Sequence, residues 1–174
     1  MDITNAIPTL RYVWATIRHK YFVYVAGAWT GVSLWRRIKH DWTKFSWAEA
    51  PHYGRRFFGT NDDPDGFDHA WNHHSKANDH HWEYWIPVTT HSRSNSEPGE
   101  PLRMSEAAVR EMVADWLGAG RAYAGSWAQE NGPGDWPWWH QNKDSIRLHE
   151  DTRLLVEAVI AEAYLKRHGL APGA

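Results

Sequence analysis

Apolar residues recur at helical spacing along most of the chain, and no stretch shows the strict alternation that is typical of a β-strand. The clearest pattern runs over residues 9–29, where an apolar side chain follows at every third or fourth position. These residues are Leu10, Val13, Trp14, Ile17, Tyr21, Tyr24, Val25 and Ala28. Because proline is tolerated in the first turn of a helix, Pro8 predicts where this helix begins.

Further helices are predicted from the same spacing and from residues that favour helix ends. The motif Ser46-Trp-Ala-Glu49 has the spacing of a capping box and predicts a helix that continues to about Phe58. Ser105 is a favourable N-cap residue. The other predicted helices cover 32–42, 67–85 (with a break near Asn78-Asp79 left open), 105–123, 138–146 and 149–168.

The predicted fold is therefore all-α, a compact bundle of six to seven helices that forms one domain over residues 1–174. A chain of 174 residues is long enough to bury a hydrophobic core. Residues 88–103 are rich in serine, proline, glycine and charged residues, and we expect them to form a mobile surface loop.

The composition excludes several classes of protein. Apolar residues make up 42% of the chain and charged residues 23%, which is typical of a globular protein. The net charge of −2 argues against an electrostatic nucleic-acid interface. No apolar run reaches the ~20 residues of a membrane span, and the N-terminus does not resemble a signal peptide. We therefore expect a cytoplasmic protein without a membrane partner.

The 13 tryptophans are many for this length. They favour a thick aromatic core, because tryptophan buries a large area and has one N–H group to satisfy. The alternative is that a few of them line a pocket for a ligand that contains a ring.

The segment 67–85 contains five of the 12 histidines, and three explanations are open: a metal site, a proton-handling site, or a solvated polar face. If the helix is continuous, His74 and His81 share one face with Asn78, and if it breaks near Asn78, His80 joins them. We expect His69 and His73 to lie at the surface or to support the ligands from outside.

The adjacent pair His40-Asp41 is a second set of residues that can bind a metal. The chain contains no cysteine. Any metal must therefore be bound by His, Asp or Glu, which suits Mn, Fe, Co, Ni, Zn or Mg. Neighbouring helical residues point about 100° apart, so one ion that reaches both side chains would lie over the helix end. His19 and Asp115 lie in helices with apolar neighbours, where the alternatives are a core histidine and a buried, paired carboxylate.

The segment HDWTKF resembles the HD-x-x-K segment of the HD-domain metal-dependent phosphohydrolases. That superfamily is all-α and has the pattern His … His-Asp … Asp, often with further histidines before the last Asp. The resemblance implies that one or two divalent ions are bound by His19, His40, Asp41, His74, His80, His81 and Asp115.

The chain is also similar to a narrower family of small phage and bacterial proteins with no assigned activity. The similarity covers roughly residues 10–160 and rests on five segments. They are RHKYFV, HDWTKF, HSKANDHHW, ADWLGAGRA and KDSIRLHEDTR. If the protein is phage-encoded, its expected location is the host cytoplasm.

The resemblance to the HD superfamily implies a metal-dependent phosphohydrolase that acts on a nucleotide or another small phosphate ester. Lys44, Asp41 and Arg121 are the expected catalytic residues. Lys76, Asn78, Arg121 and Lys143 are the expected substrate-binding residues. Members of this superfamily often dimerise, so a homodimer is a further expectation.

The sequence leaves two alternatives open. The first is an HD-like di-iron oxygenase. The second is a non-catalytic phage accessory protein that binds a nucleotide or a host factor.

Overall fold

The computed structural model describes residues 3–87 and 99–170, and these residues form seven α-helices and no β-strand. The helices are α1 (Ile3–Thr30), α2 (Leu34–Lys39), α3 (Ala50–Phe58), α4 (Pro64–Ala77), α5 (Glu106–Ala124), α6 (Pro137–Asn142) and α7 (Glu150–Arg167). Two short 3-10 helices, Trp42–Phe45 and Trp82–Trp85, follow α2 and α4. The predicted all-α fold of six to seven helices is confirmed.

The helix boundaries agree with some of the predicted end signals and not with others. The Ser105 hydroxyl accepts a hydrogen bond from the N–H of Ala108, at 3.2 Å, so it is the N-cap of α5 as predicted. The prediction for Pro8 is wrong, because α1 already begins at Ile3 and Pro8 lies inside it. A proline this close to the N-terminus removes a single helical hydrogen bond, so the helix continues through it.

The predicted capping box is also wrong. Glu49, not Ser46, occupies the N-cap position of α3, and its side chain makes no hydrogen bond to the helix N-terminus. The Glu49 carboxylate is buried and contacts His73 and His74. The motif therefore predicted a helix in the right place but gave the glutamate the wrong role.

The core forms where α5 packs against α1 and α7, while α3 packs on another part of α1. Gly118 of α5 allows a very close approach to α1, because a Cβ added there would lie 2.6 Å from the backbone nitrogen of Val23. The absence of a side chain at Gly118 therefore admits the backbone of α1.

Helix α1 does not bury its most apolar face. Its buried side chains include Tyr12, Thr16, His19 and Val23. The apolar residues that predicted the helix are mostly exposed, among them Leu10, Trp14, Ile17, Tyr21 and Tyr24. A helix normally turns its apolar stripe to the core, so α1 buries a partly polar face and leaves an apolar one exposed.

The tryptophans form the core only in part. Trp136 and Trp139 are buried, whereas six others are exposed. The exposed ones are Trp14, Trp35, Trp42, Trp47, Trp71 and Trp138.

The expected loop over residues 88–103 falls mainly outside the described residues. Its described end pairs with the chain before it, since Gly99 N–H donates to the Pro87 carbonyl at 2.8 Å and Leu102 N–H to that of Trp85 at 2.9 Å. Among the described helices, none combines the length and the apolar composition that crossing a bilayer requires.

We expect the Gly118→Ala variant to lose about 2 kcal/mol of unfolding free energy, because its methyl group would collide with the backbone of α1. The matched control is Gly120→Ala, two residues along the same helix, where an added Cβ meets nothing within 4 Å. This control should gain about 0.5–1 kcal/mol from helix propensity alone. Urea denaturation followed by circular dichroism measures both, and equal effects of the two variants would contradict the close crossing.

Candidate metal centre

The turn after α2 places His40 and Asp41 in the interior of the protein. Both side chains are buried, and Asp41 is 0% exposed. Asp41 adopts a left-handed backbone conformation, with φ 54° and ψ 26°, which is uncommon for a residue other than glycine. Such backbone conformations cluster at functional sites, where the surrounding structure holds them.

Four predicted ligands meet around Oδ2 of Asp41, and we call them the first ligand group: His19, His40, Asp41 and Asp115. Nε2 of His19 lies 3.2 Å from Asp41 Oδ2 and 3.0 Å from Asp115 Oδ1. Nε2 of His40 lies 3.3 Å and 3.5 Å from the same two oxygens. The helices α1 and α5 and the turn after α2 therefore each supply part of this group.

The other carboxylate oxygen, Asp41 Oδ1, faces a second ligand group: Asp41, His74, His80 and His81. Nε2 of His74 and Nε2 of His80 each lie 3.3 Å from Asp41 Oδ1. Nε2 of His81 lies 2.8 Å from Nε2 of His74. Helix α4 ends at Ala77, so the break near Asn78 is real, and it brings both His80 and His81 towards His74.

Asp41 therefore belongs to both groups and directs one oxygen into each. Asp41 Oδ1 and His80 Nε2 are buried, and within the described residues neither has a hydrogen-bond partner. Leaving a buried polar atom without a partner is costly, and a cation between these atoms would remove that cost. The donor set of imidazole nitrogens and carboxylate oxygens suits divalent transition metals. The residues present thus fit the implied metal ions.

Glu111 of α5 orients two of the imidazoles from outside both groups. Its Oε1 lies 3.0 Å from Nδ1 of His40 and 3.3 Å from Nδ1 of His80. An ionised carboxylate can only accept hydrogen bonds, so each Nδ1 carries the proton that it donates. Arg36 in turn donates from Nε to Oε2 of Glu111, at 2.5 Å. This arrangement fixes ring orientation and tautomer, as residues behind metal-ligating histidines do.

Glu49 and Thr43 have the same role for His74. Nδ1 of His74 lies 3.0 Å from Glu49 Oε2 and 3.0 Å from the Thr43 hydroxyl. His73 also contacts Glu49, with 2.7 Å between its Nδ1 and Oε1, which agrees with its expected supporting position. His69 is exposed, as expected.

The sequence interpretation missed Glu111 and Glu49. A signal for Glu111 was present, because it lies four residues before Asp115 and therefore on the same face of α5. Glu49 carried a misleading signal, since its spacing from Ser46 matched a helix cap.

The carboxylates of the centre are held in their charged form. Burial would raise the pKa of Asp41, but the charges of His40 and Lys44 and hydrogen bonds from His19 and His40 lower it well below its usual range. The pKa of Asp115 is also lowered well below its usual range: burial opposes ionisation, and hydrogen bonds from His19 and His40 outweigh burial. The centre thus concentrates negative charge that a cation can neutralise.

The histidines of the centre differ in the direction of their pKa shifts. Burial would lower the pKa of His40, but the Asp41 charge and hydrogen bonds to Asp115, Asp41 and Glu111 raise it well above its ordinary value. Burial and the His40 charge would lower the pKa of His80, but the nearby carboxylates of Asp41 and Glu111 outweigh them and raise it. Burial, followed by the charges of His80 and His74, keeps the pKa of His81 well below its ordinary value.

Lys44 lies at the edge of the centre, and its ammonium forms an ion pair with Asp41 Oδ2. Its pKa is raised because the charges of Asp41 and Asp115 outweigh the effect of burial. The side chains of Lys44 and Asp115 keep 14% and 13% of their area exposed, whereas that of Asp41 has none. The centre therefore opens to solvent beside Lys44 and Asp115.

The other residues predicted to bind substrate either hydrogen-bond to other parts of the protein or lie outside both ligand groups. Their roles in substrate binding stay predictions. Asn78 donates to the Thr43 hydroxyl at 3.0 Å and to the His74 carbonyl at 2.8 Å. Lys76 donates to the Glu83 carbonyl at 2.5 Å. Arg121 donates to the Gly125 carbonyl, and its guanidinium carbon lies 4.8 Å from the centre of the Phe22 ring. Lys143 is at the end of α6.

An aromatic cavity of about 420 Å³ adjoins the open edge of the centre. Its lining consists of Tyr12, Ala15, Lys44, Tyr53, Phe57, Phe58, Trp71 and Tyr123. Two of these rings also contact ligand histidines: Tyr123 stacks on His19 at 5.9 Å between ring centres, and Trp71 meets His81 edge-on at 5.3 Å. One tryptophan, Trp71, therefore lines a pocket beside the predicted ligands.

Comparison with curated proteins and with solved structures gave no match. Residues 9–162 match a family described as "Family of unknown function (DUF5662)". The match includes every residue of both ligand groups and most of the chain. The chain therefore belongs to the DUF5662 family, whose function is unknown.

Proposed function

We propose that this protein is a metal-dependent phosphohydrolase that binds two divalent ions and acts on a small phosphate ester, with nucleotides as the first candidates. The observation that supports it is the position of Asp41, whose two oxygens face two separate sets of histidines. A carboxylate shared in this way is suited to hold a pair of ions. Bound ions would lower the pKa of a water molecule and neutralise charge on the phosphoryl oxygens.

Lys44 is the residue that we assign to the phosphoryl group. It is charged across the physiological pH range because its pKa is raised. It lies at the open edge of the centre and also lines the aromatic cavity. A fixed positive charge at this place stabilises the negative charge that develops on phosphoryl oxygens during the reaction.

The aromatic cavity is the expected site for the organic part of the ester. Its rings offer flat apolar surfaces on which a base or another planar group can stack. Lys44 is the single cationic residue in its lining. One cation suits a monophosphate better than a polyphosphate chain, which needs several cationic groups. The cavity walls would also keep water away from the substrate during the reaction.

A di-iron oxygenase is the second candidate, because five histidines and two or three carboxylates around one centre also suit iron. The two functions differ in what can be measured. The oxygenase would be coloured when loaded with iron and would consume oxygen, whereas the phosphohydrolase would release phosphate with redox-inactive Mg or Zn. A third possibility, a non-catalytic accessory protein, predicts neither turnover nor oxygen uptake.

We expect the protein purified without a histidine tag to bind close to two equivalents of Mn, Co, Ni or Zn. Asp41→Asn should lose both ions, because Asp41 belongs to both groups. Asp115→Asn should lose only the ion of the first group. Inductively coupled plasma mass spectrometry after dialysis measures the content.

The control for the metal content is His69→Ala, since His69 is exposed and outside both groups. Circular dichroism on each variant reports whether it folds. If folded Asp41→Asn binds as much metal as the native chain, Asp41 is not a ligand that two ions share.

Metal affinity should increase with pH. Because the pKa values of His40 and His80 are raised, both imidazoles hold their protons to higher pH than an ordinary histidine does, and a metal ion must displace these protons. Asp41 and Asp115 have lowered pKa values and are already ionised there, so they release none. The apparent affinity should rise about tenfold per pH unit for each proton displaced, up to the raised pKa values.

Isothermal titration calorimetry in buffers of different ionisation enthalpy counts the released protons directly. His69→Ala serves as the control and should leave the count unchanged. An affinity that is constant between about pH 6 and 8 would show that the two histidines are not ligands.

Lys44→Met should lower kcat by about 100-fold, because it removes the cation beside the phosphoryl group while the metal ligands remain. The assay uses nucleoside monophosphates and p-nitrophenyl phosphate with Mn, Co, Ni or Mg, and it follows phosphate release. Lys166→Met, at an exposed lysine of α7, is the matched control and should retain full activity. Native activity in a Lys44→Met protein with full metal content would remove Lys44 from the mechanism, and no turnover of any ester would reject the phosphohydrolase.

A further inference from the structure

Six apolar side chains form a continuous exposed stripe along α1, which we call the α1 stripe: Ile7, Leu10, Trp14, Ile17, Tyr21 and Tyr24. Their exposed fractions range from 39% for Tyr24 to 70% for Trp14. Scattered exposed apolar residues are ordinary on a protein surface, but a contiguous apolar patch marks an interaction site.

The spacing of the stripe is that of a helix–helix seam. Its members follow one another at intervals of three, four, three, four and three residues. This is the heptad spacing that places every apolar side chain on the line of contact with a second helix. The face of α1 that serves the protein's own core is a different one, since Tyr12, Thr16, His19 and Val23 are buried there.

The intervals and the order of residue types in the stripe indicate that its partner is a second copy of the same helix. The intervals read the same in both directions, so an identical helix can lie antiparallel against this one with a two-fold axis between Ala15 and Thr16. The pairing then sets Ile7 against Tyr24 of the other copy, Leu10 against Tyr21, and Trp14 against Ile17. Every layer combines one aliphatic with one aromatic side chain.

We propose that two copies of this chain form an antiparallel dimer through the α1 stripe. A two-fold symmetric interface requires a patch that is complementary to itself. The α1 stripe meets that requirement, because each aliphatic residue lies opposite an aromatic one. This inference does not depend on the proposed phosphohydrolase activity, since no member of the stripe belongs to either ligand group.

The size of the stripe indicates how strong the dimer is. With ~150–250 Å² for each aromatic side chain and the exposures above, the six residues bury on the order of 600 Å² per copy. The total of about 1,200 Å² lies at the lower end of specific interfaces. An interface of this size favours a dimer that dissociates on dilution.

The charges beside the stripe distinguish this dimer from binding to an anionic surface. Residues 3–30 contain no Asp or Glu, and Arg11 and Arg18 lie exposed next to the stripe. In the dimer the arginines of the two copies approach one another, so added salt screens their repulsion and strengthens association. Salt would weaken attachment to an anionic membrane or to an acidic protein.

Sedimentation velocity over a range of micromolar concentrations tests the dimer. The native chain should be dimeric at the upper concentrations, and more so at 0.5 M than at about 0.05 M NaCl. L10E and Y21K should each raise the dissociation constant at least 100-fold. W47E is the matched control, because Trp47 is 74% exposed and lies outside the stripe, and it should behave as the native chain does.

A mixture of L10E and Y21K tests the antiparallel register. Position 10 of one chain faces position 21 of the other, so the opposite charges meet and a heterodimer should form where neither variant dimerises alone. Native mass spectrometry separates the species by mass. Unchanged melting temperatures would show that these exposed changes leave the fold intact.

Three results would overturn the proposal. The first is a native chain that stays monomeric throughout the concentration range. The second is loss of the dimer in W47E to the same extent as in L10E. The third is a mixture of L10E and Y21K that forms no heterodimer, which would exclude the antiparallel pairing.

Discussion

The burial of the Asp41 carboxylate is the constraint on which the rest of the site depends. A charge with 0% exposure cannot be stable in the interior without partners. The protein surrounds it with imidazole nitrogens on both oxygens and with the Lys44 ammonium. Helices α1 and α4 supply these partners together with the turns after α2 and α4, and α5 adds Asp115 and Glu111 against the same histidines.

The crossing of α1 and α5 determines the geometry of the first ligand group. Asp115 and Gly118 lie one turn apart on α5, and His19 and Val23 lie one turn apart on α1. The contact between Gly118 and Val23 therefore sets the separation of His19 and Asp115, whose side-chain atoms are 3.0 Å apart. Gly118, which belongs to neither ligand group, thus controls how His19 and Asp115 are placed relative to each other.

Helical spacing was sufficient to predict the all-α fold, and the seven residues that we propose as metal ligands do lie together around Asp41. The sequence was insufficient for Glu111 and Glu49, because a glutamate that orients an imidazole resembles any helical glutamate until the tertiary contacts are known. It also left open which face of α1 is buried. That choice depends on the placement of His19 against Asp41 and Asp115, which hydrophobic periodicity does not encode.

The two ligand groups differ in how far apart their members lie along the chain. The second group is complete within residues 41–81, whereas the first extends from residue 19 to residue 115. A segment that ends at His81 therefore contains every member of the second group, whereas the first group is incomplete until α5 packs against α1.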